Sequence, residues 1–181
     1  EEISQDLEKP SRMIRLLQGD VGSGKTIVAL AAIFQVSGNN KQSAMMAPTE
    51  LLARQHYESL KDLCFKSNIN IEILTGKTKR LERERILDDL KNGKISIILG
   101  THALFQEKVL FNNLGLVIID EQHRFGVHQR LSLTSKNSLN PPDIVIMSAT
   151  PIPRTLELTA YGSMQVSRLL DKPMGRKPIK T

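Results

Sequence analysis

With 181 residues, 40% of them apolar, the chain is long enough for one substantial core, and a single domain is the default. A formal net charge of +6 points to a polyanionic partner. No apolar stretch approaches the roughly 18 residues that a membrane-spanning helix needs, and the single cysteine, Cys64, has no internal disulfide partner, which suits a reducing compartment.

In chain order, residues 1–12 read as a lead-in helix or tail, and Met13–Gln18 as a buried strand. Gly19 to Thr26 then spell GDVGSGKT, a full match to G-x-x-x-x-G-K-[ST], the phosphate-binding P-loop. Gly19, Asp20, Val21, Gly22, Ser23 and Gly24 are placed to wrap backbone N–H groups around a polyphosphate. Lys25 sets a positive charge against it, and the Thr26 hydroxyl can ligate Mg2+. Thr26–Val36 follows as a helix, with Ile27, Leu30, Ala31 and Phe34 as its apolar stripe. Strand, glycine loop and helix in this order put the phosphates on a helix N-terminus.

The pattern then repeats. Strands are expected at Gln42–Ala47, Ile71–Leu74, Ile95–Thr101, Leu114–Asp120 and Ile144–Ser148, and helices at Glu50–Lys66, Lys79–Lys91 and roughly Val127–Ser135. On the second helix Cys64 reads as a core filler. His56, four residues from both Leu52 and Leu60, reads as a half-buried packing residue. The cations Lys77, Lys79, Arg80, Arg83 and Arg85 alternate with Glu82 and Glu84, the mark of a solvated helix face stitched by i,i+4 pairs. The strands are near-continuous Ile, Val, Leu and Met runs, so the expected fold is α/β: an open, mostly parallel sheet with helices on both faces. Its ligands should gather at the carboxyl ends of the strands.

One such end carries an acidic pair. Leu116 to Ile119 run into Asp120-Glu121-Gln122-His123. Asp120 is read as the metal carboxylate, and Glu121 as the group that orients and deprotonates an attacking water.

P-loop, DEQH and Ser148-Ala149-Thr150, in that order, resemble motifs I, II and III of superfamily 2 helicases. QGDVGSGKT, APTELLARQH, GTHALFQ, IIDEQHRFGVHQR and SATPIPRTL resemble, more narrowly, the RecG family of bacterial ATP-dependent helicases that remodel branched DNA. Transcription-repair coupling translocases share RFGV and TPIPRTL but typically carry a second glutamate where this chain has Gln122-His123. They stay as the alternative, beside a non-catalytic nucleotide-gated DNA-binding module.

The resemblance implies a RecA-like ATP-binding domain over 13–170, and a linker over 171–181 toward a second motor domain. A wedge domain elsewhere in the parent chain, branched or forked DNA as partner, no membrane and a bacterial cytoplasmic setting complete the expectation. It implies that Gln122 and His123 couple the nucleotide site to Ser148 and Thr150. Arg154 could report DNA or nucleotide state, or cap a helix. Pro48, Thr49, Thr101 and His102 would touch the DNA backbone, with Gly76 and Lys77 as a similar pair; Thr49 could equally be only an N-cap. A single motor lobe should show little or no ATPase or unwinding activity, since such sites are closed by arginines from a second lobe.

Overall fold

The computed structural model describes residues 1–120, 141–149 and 164–169. Among them the elements run α1 (Glu2–Leu7), β1 (Ile14–Gly19), α2 (Lys25–Gly38), β2 (Gln42–Met46), α3 (Glu50–Lys66), β3 (Ile71–Leu74), α4 (Arg80–Lys91), β4 (Ile97–Gly100), a 3-10 helix (His102–Phe105), β5 (Leu114–Ile119), β6 (Asp143–Ser148) and β7 (Gln165–Leu169). The strands form one seven-stranded sheet in the order β3-β4-β2-β5-β6-β1-β7, with every pairing parallel.

The apolar runs explain the layering. β2, β4 and β5 are buried at every position, which requires cover on both faces of the sheet. Alternate strand residues feed two cores. Leu16, Met46, Ile98 and Ile119 pack with Ile86 and Leu90 of α4. Leu17, Met45, Leu99 and Ile118 pack with Ala29, Ala32, Ile33 and Val36 of α2 and with Leu60 and Cys64 of α3. Cys64 is the core filler its spacing suggested, and burial pushes its thiol pKa up, toward the neutral form.

Two expectations need correcting. The predicted inward stripe of α2 is rotated: Ile27 is 73% exposed and Ala31 is exposed, while Ala29, Ala32, Ile33 and Val36 face the sheet. Apolar residues surround this helix, so periodicity admits more than one inward face. The second concerns β7, which no apolar run announced. It is an edge strand pairing β1 from Arg15↔Gln165 to Gly19↔Leu169, with Ser167 its one buried residue. Helix Val127–Ser135 and the linker over 171–181 lie outside the described residues.

Three polar devices fix the strand starts. Gln42 is fully used: its amide donates to Leu90 O and Ile95 O (both 2.8 Å), and its Oε1 accepts from the N–H groups of Asn112 (2.7 Å) and Asn113 (3.0 Å). Arg15 of β1 reaches Asp6 and Glu2 of α1 and Ser167 of β7. Asp143 Oδ1 accepts the Met13 N–H at 2.7 Å.

Burial raises the Asp143 pKa, with the Met13 bond and nearby Lys41 and Arg12 opposing. A raised carboxyl pKa favours the fold only while the group is protonated, so the contribution becomes a cost as pH rises through the folded value. Asp143→Asn keeps the acceptor and removes the charge. It should raise the midpoint at pH 7 by about 1–2 °C, or ~0.5 kcal/mol, with the gain vanishing near pH 3. A melting series from pH 3 to 8 measures this; a lower midpoint at pH 7 counts against it.

Candidate functional site

Because all strands are parallel, their carboxyl ends share one edge of the sheet. Along it stand Gly76-Lys77 after β3, Thr101-His102 after β4, Pro48-Thr49 after β2, Asp120 after β5, Ser148 at the end of β6, and the glycine loop after β1. The predicted residues therefore sort into two neighbouring groups, one on β3-β4-β2 and one on β5-β6-β1.

In the second group, Gly19 closes β1 where a Cβ would meet Ser23 Oγ at 2.5 Å and Leu169 Cβ at 3.0 Å. Only glycine fits. Gly24 is the N-cap of α2 at φ 91°, and it caps with no side chain; the Ile27 N–H turns back to Gly24 O at 3.0 Å, leaving the N–H groups of Lys25 and Thr26 open to an outside acceptor. Lys25 Nζ folds back over the loop and donates to Gly19 O (2.6 Å) and Asp20 O (2.8 Å). Ser23 Oγ is buried with no hydrogen-bond partner among the described residues. An uncapped helix N-terminus, an orphaned buried hydroxyl and an ammonium held on carbonyls fit a polyphosphate. Thr26, in the first turn of α2, and Asp120 offer the oxygen donors that suit Mg2+.

β5 delivers Asp120, whose N–H donates to Met46 O at 2.8 Å. Its carboxylate Oδ2 lies 2.9 Å from His56 Nε2, and the two side chains are only 13% and 14% exposed. His56 is thus more deeply buried than the half-buried packing residue its spacing suggested, and it is also bonded to the predicted metal carboxylate. No local pattern could show this, because 64 residues separate the partners. Ser148 is buried and pairs in register with Gln18, the residue before the loop. Glu121, Gln122, His123, Thr150 and Arg154 lie outside the described residues.

In the first group, Thr49 is the N-cap of α3: its Oγ1 accepts the Leu52 N–H at 3.3 Å. Glu50 pairs with Arg54 at 3.0 Å and with Lys77 at 3.6 Å, so the loops after β2 and β3 meet. Thr101 is buried, while the adjacent His102 is exposed. The cationic run on α4 is ion-paired in part, Arg80 with Glu84 and Arg85 with Glu72 and Asp89, while Arg83 donates to Thr75 O and Gln106 Oε1 instead.

The model of the DEAD/DEAH box helicase family matches residues 3–159. The chain is 53% identical over 180 residues to the ATP-dependent DNA helicase RecG of Staphylococcus epidermidis, covering 99% of this chain and 26% of that protein. It is 52% identical to RecG of Synechocystis, covering 99% and 21%. A solved structure of RecG bound to a three-way DNA junction superposes with a TM-score of 0.82 at 47% identity, over 98% of this chain and 24% of that one. The chain thus spans about a quarter of the length of the curated relatives it matches. Its parallel sheet, two helical layers and glycine loop form a RecA-like P-loop helicase fold. By the family pattern that runs through most of its length, the chain belongs to the DEAD/DEAH box helicases, and its sequence is similar to RecG.

Proposed function

We propose that this chain is the ATP-binding motor domain of a RecG-like DNA helicase, acting on branched or forked DNA in repair, recombination and the remodelling of stalled forks. What supports this most is the division of one sheet edge into an anion cradle beside Asp120 and, across the β2–β5 boundary, a row of polar helix and loop starts.

On this reading the loop from Gly19 to Thr26 binds the phosphates of ATP. Lys25 leaves the Gly19 and Asp20 carbonyls to meet them, and Thr26 and Asp120 hold Mg2+. The cation, when bound, neutralises charge that develops on the transferred phosphate. Glu121 orients the attacking water and accepts its proton, while Gln122, His123, Ser148, Thr150 and Arg154 relay the state of the site.

The other half of the edge meets the DNA backbone. Thr49 Oγ1 accepts the Leu52 N–H, which leaves its O–H to donate to a phosphate oxygen, and His102 and Lys77 supply exposed polar and charged ends. This sheet supplies one wall of the ATP site. Turnover by this chain alone should be slow or absent until a second motor domain supplies arginines, with a wedge domain recognising the branch.

A salt series of binding to forked DNA, with ATP turnover measured beside it, tests the reading. Affinity should fall linearly on a log–log plot against salt and be indifferent to sequence. Salt-insensitive, sequence-specific binding would overturn the backbone contacts, and robust DNA-stimulated turnover by this chain would overturn the assigned incompleteness.

A further inference from the structure

We infer that His56 is a positioning residue for the Asp120 carboxylate, tying the cation end of the nucleotide site to the helix that starts in the DNA-facing group. This deepens the proposed nucleotide reading and rests on it.

Asp120 stands at the end of β5 with two carboxylate oxygens. His56 Nε2 takes Oδ2 at 2.9 Å, and among the described residues no other side chain bonds this carboxylate. Oδ1 is left for a cation. Both side chains are more than four-fifths buried, so the bond is sheltered from water and fixes the carboxylate's rotation; carboxylates that ligate metals are commonly held this way from behind.

The second half of the inference follows from where His56 is mounted. It lies about two helical turns along α3, whose first turn is capped by Thr49 and tied through Glu50 to Lys77. Leu60 and Cys64, one and two turns further on, are sunk in the core, so α3 rests firmly on the sheet. A helix that begins among the candidate DNA contacts and grips the metal carboxylate two turns later links the two groups by a rigid element. The competing role is to pin α3 to β5 without regard to the cation. The two roles differ in whether magnesium matters.

The test is equilibrium binding of a fluorescent ATP analogue to this chain, with saturating Mg2+ and with EDTA, beside a melting curve. His56→Leu should cut the affinity gained from Mg2+ by about tenfold, leaving affinity in EDTA unchanged. His56→Gln, whose amide N–H can stand near the position of Nε2, should recover most of the gain. A His56→Leu protein with the full Mg2+ gain, or with equal losses in Mg2+ and EDTA, would overturn the inference while leaving the nucleotide reading intact. Wild-type protein that binds the analogue in neither condition overturns the nucleotide reading, and this inference with it. Should His56→Leu unfold, His56→Met against His56→Gln decides in the same way: equal Mg2+ gains in that pair overturn the inference, and a gain kept only by glutamine supports it.

Discussion

Lys25→Ala should weaken ATP binding by about 100-fold while moving the thermal midpoint little. Hydrogen bonds to charged groups contribute about 1.5–3 kcal/mol each, and every 1.4 kcal/mol is tenfold in affinity. The upper end applies because Lys25 sits part-buried at an uncapped helix N-terminus, where an anion has traded water for the loop. Stability should hold, since the bond to Asp20 O is exposed to water and only the part-buried bond to Gly19 O, at the end of β1, is lost from the fold. Lys25→Arg should rescue poorly, as a planar fork cannot reproduce a point charge in so tight a loop. Calorimetric titration with ATP and Mg2+ measures it; a variant binding within threefold of wild type would remove the loop from the ATP site.

The sheet and the glycine loop were legible because both are local signals. β3 and α3 were readable to the residue from their apolar runs and from Thr49, since a buried strand and an N-capped helix each carry their cause in adjacent side chains. The legible part of the site has the same origin, a loop of consecutive residues and an aspartate ending an apolar strand. What stayed hidden depends on partners far apart in sequence. His56 meets Asp120 only because α3, packed over β3 and β4, brings its first half to the end of β5, and β7 forms only because β1 offers it an edge. The face of α2 was ambiguous for another reason: an apolar helix carries no polar stripe to say which side is outward, and contact with the sheet decides.

That edge also accounts for the second large effect expected. Asp6→Ala should destabilise the fold by about 3 kcal/mol, lowering the midpoint by roughly 6–12 °C. Arg15 and Asp6 are each only 8% exposed at the side chain, so truncating the carboxylate strands a buried guanidinium. Its other acceptors are poor substitutes: Glu2 is 64% exposed, and Ser167 and Gln165 are neutral. The cost is chiefly that of an uncompensated charge rather than the worth of the pair, so Asp6→Ala combined with Arg15→Met should recover more than half of the loss. The Lys9 hydrogen bond, with Arg15 behind it and against the cost of burial, holds the Asp6 pKa below its ordinary value. A lowered carboxyl pKa contributes its stability above the unfolded value and loses it as pH falls through the folded one, so wild type should lose its advantage over Asp6→Ala in acid and keep it at neutrality. Because the same guanidinium holds α1 and β7 against β1, the strand that ends in the glycine loop, Asp6→Ala should also loosen the loop and weaken ATP binding. Melting curves of the single and double variants from pH 3 to 7 decide; a change within 0.5 kcal/mol for Asp6→Ala at neutral pH would make the network a surface ornament.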